Sequence, residues 1–143
     1  MRISAKAEYA CVAMLELAAN YREPQPVRIK AIAEAQGIPP RFLVQILLQL
    51  KGAGLVASSR GAAGGYHLTR TPDTIRLAEI ISVIDPTSLG PSGPRVPSAS
   101  SVVRVARGVW HEVQQQEQRI LEKTTLAHLV QRSRESDVLS YQI

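Results

Sequence analysis

The stretch IAEAQGIPPRFLVQILLQLKGAGLVASSRGAAGGYHL, residues 32–68, decides the fold. Its apolar spacing predicts a short helix over residues 29–36. Gly37 then supplies the left-handed residue that closes a helix. Ile38-Pro39-Pro40 makes a tight turn, and a proline is well tolerated at the first position of the helix that follows. That second helix is predicted over residues 40–51 and is stopped by Gly52-Ala53-Gly54. Residues 55–59 and 65–68 read as two short strands, joined by the glycine-rich tip Arg60-Gly61-Ala62-Ala63-Gly64. Two helices across a tight turn with a hairpin behind them predict a mainly α fold, a winged helix-turn-helix.

In this motif the helix over 40–51 is the one offered to a DNA major groove. At 100° per residue, Phe42, Leu43, Ile46, Leu47 and Leu50 fall on one face and are expected to pack the domain. Arg41, Val44, Gln45 and Leu48 fall on the other. An arginine can bond guanine O6 and N7, a glutamine adenine N6 and N7, and a valine can meet a thymine methyl. Leu48 fits neither face comfortably and is expected at the edge of the groove or against another part of the protein. At the hairpin tip, Arg60 with Gly61 beside it suits a narrow, electronegative minor groove. The tip is no phosphate-binding loop, since it lacks the lysine of that motif and opens no helix.

Upstream, Ser4 is placed to cap a helix running to about Tyr21, with Ala7, Ala10, Cys11, Met14, Leu15, Leu17 and Ala18 as its buried stripe. Glu23-Pro24-Gln25-Pro26 breaks it. Downstream, a helix is predicted over residues 77–84. Residues 85–100, DPTSLGPSGPRVPSAS, read as a mobile loop. A long helix starts near Ser101, and Val102, Ala106, Val109, Val113, Gln116 and Ile120 repeat at four- and three-residue steps, the seam of a coiled coil. A short last helix is expected over about 125–132 and ends the folded part. The division expected is a DNA-binding domain over 1–84, the loop over 85–100, and a dimerisation helix with a C-terminal helix over 101–143.

The chain has 143 residues and a net charge of +5. Ten Lys and Arg face six Asp and Glu in residues 1–84, against seven and six in the remainder, so a polyanion would meet the first part. The single cysteine, Cys11, excludes an internal disulfide framework. The first residues lack an apolar leader core and no apolar run is long enough to span a bilayer, so a cytoplasmic protein without membrane contact is expected.

RISAKAEYA (2–10), residues 32–70, IRLAEIISVID (75–85) and TLAHLV (125–130) together resemble the Rrf2 family of bacterial winged-helix regulators, SSRGAAGGY being the most diagnostic stretch. Members of that family include iron–sulfur-cluster, nitric-oxide-sensing and cysteine-metabolism repressors. The resemblance implies a homodimer on double-stranded operator DNA, each recognition helix in a major groove and each wing in a minor groove. It also implies DNA contacts at Arg41, Val44, Gln45, Arg60 and Gly61, and dimer contacts along the helix bearing Val102, Ala106, Val109, Val113 and Ile120. Many members carry Glu where this chain has Val44, so the carboxylate acceptor for cytosine is missing here.

Cluster-binding members hold three cysteines in the loop before the long helix, and residues 85–100 contain none. Glu8 stands where some members use an acidic ligand, but one carboxylate holds no cluster. No cofactor and no metal site are therefore expected. Cys11 reads as a packed thiol, and His67, His111 and His128 share no metal-ligand spacing. The reading is a transcriptional regulator, more often a repressor than an activator in this family. Two alternatives stay open: a winged helix kept for a protein partner without a specific operator, and an enzyme, for which no catalytic constellation is visible.

Overall fold

The computed structural model describes residues 1–90 and 100–141. Its elements run α1 (Ala5–Ala19), α2 (Ile29–Gln36), α3 (Pro40–Gly52), β1 (Val56–Ser59), β2 (Gly65–Leu68), α4 (Leu77–Ile84), α5 (Ser101–Lys123) and α6 (Leu126–Tyr141), with 3-10 turns at Pro72–Thr74 and Pro86–Leu89. The fold is mainly helical with one antiparallel hairpin, the winged helix-turn-helix expected.

Ser4 caps α1 by accepting from the Ala7 amide at 3.1 Å. The helix ends at Ala19 rather than Tyr21, because the chain turns where Asn20 donates back to the Glu16 carbonyl. One face of α1 (Ala7, Ala10, Ala13, Met14, Leu17 and Ala18) is buried, whereas Cys11 and Leu15 are only half-buried at its margin. Against it pack Ile32 of α2, the inner face of α3 and Ile80 of α4. The small residues of α1 let these helices approach closely.

The hairpin pairs Val56 with Leu68 through to Ser59 with Gly65. Strand β1 starts one residue later than expected, since the Leu55 amide closes α3 by bonding the Leu50 carbonyl. A third segment joins the sheet that the spacing did not announce. Val27, just before α2, pairs with Tyr66 through two backbone hydrogen bonds of 2.8 and 2.7 Å. Gly65 makes this possible, because a Cβ there would stand 2.5 Å from the Val27 carbonyl oxygen. The wing is thus tied to the body on its β2 side.

A second bridge, Arg76 with Thr125, fastens the α5–α6 junction to the start of α4. The Leu77 amide bonds the Thr124 carbonyl, the Leu126 amide bonds the Ile75 carbonyl, and Arg76 donates to the Glu122 carbonyl at 2.7 Å. Leu126 and Val130 consequently join the same core as α1.

The last helix does not stop near Arg132. Its apolar periodicity ends at Val130, but residues 131–141 hold neither Gly nor Pro and the helix runs on to Tyr141 with every described side chain from 131 to 140 exposed. Of the expected loop 85–100, residues 86–89 form a 3-10 turn, and the mobility expected of the rest falls on 91–99, outside the described residues.

Candidate nucleic-acid interface

Helix α3 is amphipathic in the way its sequence demands. Leu43, Ile46, Leu47 and Leu50 are fully buried, while Arg41, Val44, Gln45 and Leu48 are exposed. Val44 is 43% exposed and Leu48 56%, on neighbouring turns of the outer face. Leu48 therefore lies outside the core formed by the described residues.

Phe42 corrects the expectation that it packs the domain. It is 38% exposed. It lies in the first turn of α3, at the edge of the arc that meets α1, where Tyr9 reaches it with ring centroids 5.9 Å apart. The Arg41 guanidinium carbon stands 5.0 Å from the centroid of the same ring. An arginine held over an aromatic face keeps its donors free for a phosphate or base while losing some rotamer freedom beforehand. Helical periodicity could not reveal this array. The chain's only phenylalanine directly after a candidate DNA-contacting arginine was the available hint.

The wing stands beyond the C-terminal end of α3. Lys51, in the last turn of α3, donates to the Ser58 hydroxyl of β1 at 2.7 Å, so the helix and the wing are joined by a side-chain contact as well as by the chain. Arg60 and Gly61 sit at the exposed tip. Gly61 takes φ 96°, a conformation open to glycine and strained for other residues, and it lets the chain reverse directly after Arg60. Among the described residues, no hydrogen bond or ion pair engages the Arg60 or Gln45 side chain. No acidic residue occurs between Glu34 and Asp73, whereas Arg41, Lys51, Arg60 and Arg70 all fall there. From the turn through α3 and the wing the surface is free of carboxylates, which favours a phosphate backbone.

Helix α5 buries only Leu121. Val102, Ala106, Val109, Val113 and Ile120, the expected seam, are exposed, together with Val105 and Trp110. Val109, Val113 and Ile120 line a shallow groove of about 330 Å³ with Glu112, Gln116 and Glu117.

The Cys11 thiol is pushed up from 9.0 to about 11, first by burial and then by the neighbouring Glu8 charge. Among the described residues no three His, Cys, Asp or Glu side chains gather where they could hold a metal ion. Residues 91–99, PSGPRVPSA, bring no such side chain by sequence. The donor set does not fit an iron–sulfur cluster, which is held by thiolates.

A helix-turn-helix whose second helix bears no carboxylate, followed by a hairpin with an arginine at its tip, is the architecture of a winged-helix transcriptional regulator, and the family and relatives are regulators of that class. The chain belongs to the Rrf2 family, described as an iron-dependent transcriptional regulator, and matches it over residues 3–132. It is 36% identical over 129 residues to the HTH-type transcriptional regulator CymR of Bacillus subtilis, covering 90% of this chain and 89% of that one. The solved structure of CymR, the global cysteine regulator of B. subtilis, superposes with a TM-score of 0.81 at 34% identity, covering 92% of this chain and 98% of CymR. T. potens IscR superposes with a TM-score of 0.77, also at 34% identity, covering 95% of this chain and 90% of IscR. Among the described residues, no helix is long and apolar enough to cross a membrane.

Proposed function

We propose that this protein is a homodimeric, sequence-specific transcriptional repressor that works without an iron–sulfur cluster. In this reading Arg41, Val44 and Gln45 enter the major groove and Arg60 with Gly61 enters the adjacent minor groove. Phosphate contacts set the register and these side chains set the sequence. Two copies join along α5 through Val102, Ala106, Val109, Val113 and Ile120, while α6 packs back on the core shared with α1. The single observation that carries the reading is the outer face of α3, exposed and free of carboxylates above a fully buried inner face.

The test is selection of preferred duplexes from a random library with the full chain, followed by titration of the winner and of scrambled DNA. A preferred sequence with two related half-sites is expected, and Gln45→Ala should relax it by about 1–3 kcal/mol at one base pair. A winged helix kept for a protein partner would bind all duplexes alike.

A further inference from the structure

The outer face of α3 has an apolar centre that neither packing nor charge explains. Val44 and Leu48 are 43% and 56% exposed, and among the described residues nothing covers them. They stand four residues apart, so their side chains are neighbours along the helix with Cβ atoms about 5–6 Å apart. Around them the surface is polar and basic: Arg41 and Gln45 share their face, Gln49 follows, and no carboxylate lies between Glu34 and Asp73. Such a surface suits a polyanion far better than an apolar protein surface.

The major groove presents one apolar group, the C5 methyl of thymine. Successive base pairs are about 3.4 Å apart along one strand, so two side chains at helical i, i+4 spacing match methyls one or two steps apart. A cytosine amino group offers nothing to these two side chains, which carry no acceptor.

We propose that Val44 and Leu48 select thymine by packing on its C5 methyl groups, so that each operator half-site holds two thymines within two base steps of each other. The inference rests on the regulator reading above and adds the identity of the bases. Val44 contributes one methyl contact and Leu48 the other, while Gln45 between them reads a neighbouring adenine edge.

The experiment replaces each thymine of the selected duplex, one at a time, by deoxyuridine, which lacks only the methyl. Affinities are measured for the full-length wild type, Val44→Ala and Leu48→Ala. Both residues are exposed, so both variants should keep the wild-type helical content and unfolding temperature. The expected result is about a fourfold loss per methyl at two positions of each half-site, the effect of one buried methylene-sized group. One penalty should disappear in Val44→Ala and the other in Leu48→Ala. Uracil tolerated at every position would overturn the proposal. So would two penalties that persist unchanged in both variants, or a Leu48→Ala protein with wild-type affinity, which would give Leu48 to a protein partner. A selection that returns no preferred sequence would overturn the regulator reading itself, and this inference with it.

Discussion

Tyr9 of α1 and Phe42 of α3 meet with ring centroids 5.9 Å apart and planes tilted by 38°. Their contact joins the first helix of the domain to the first turn of the helix proposed to read DNA. The Arg41 guanidinium rests on the same phenylalanine, so the position of Arg41 depends on a contact made outside its own helix. Aromatic pairs and an exposed cation over a ring each contribute about 0.5–1.5 kcal/mol. Phe42→Ala should therefore lower stability by only about 1–2 kcal/mol in a urea titration, the side chain being partly exposed. It should weaken binding to the selected duplex severalfold, and Phe42→Tyr should restore that binding.

The wing depends on Gly65. A Cβ at this position meets the carbonyl of Val27, and backbone cannot swing aside as a side-chain tip can. Gly65→Ala should destabilise the chain by about 1–3 kcal/mol. It should also displace the tip carrying Arg60, lowering DNA affinity by more than the loss of folded protein accounts for. Denaturation and DNA titration on the same sample separate the two effects.

Replacing Val109 by Asp tests the α5 seam. The side chain is 50% exposed in the single chain, so a carboxylate there is solvated and the fold should survive. In a dimer seam the same carboxylate would be buried without a partner, at a cost of several kcal/mol. Sedimentation at tens of micromolar should show a dimer for the wild type and a folded monomer for Val109→Asp. A wild-type monomer would remove the basis for the seam.

Cys11 should behave as a protected thiol. Its folded pKa of about 11 lies above its ordinary 9.0, so the fold favours the neutral form. Iodoacetamide should label it slowly at pH 7–8 and faster as pH climbs toward 11, while the denatured chain reacts fully near pH 9. The stability consequence has a definite sign. The contribution of the thiol is complete below pH 9, where folded and unfolded chains both keep the proton, and is lost as pH rises from 9 to 11, where the unfolded chain ionises first. Urea titrations of wild type and Cys11→Ala across that range should diverge, with the wild type losing more.

Much of this protein is written locally. The order α2, turn, α3, wing follows from Gly37, Pro39 and Pro40 between two apolar periods and from glycines around Arg60. The buried face Leu43, Ile46, Leu47 and Leu50 follows from helical geometry alone, because side chains three and four apart share a side wherever the helix sits. The outer set Arg41, Val44, Gln45 and Leu48 follows as the complement of that face. The exposed stripe of α5 is likewise legible, as a repeat of apolar residues at coiled-coil spacing.

What required the tertiary structure is every feature made by residues distant in the chain. The angle of Phe42 on the helix points it inward, yet its burial depends on what α1 puts opposite the first turn, and there Tyr9 meets it at the edge while the ring stays partly exposed. Val27 pairing with Tyr66 and Arg76 pairing with Thr125 leave no periodic trace, since a backbone bridge uses groups that every residue possesses. The length of α6 escaped for a related reason: its last turns bury nothing, so no apolar pattern marks them, and only their internal hydrogen bonds continue the helix. Sequence periodicity reports which side of an element faces a core. Where the core stops, and which distant strand or ring meets its edge, is decided only when the elements pack.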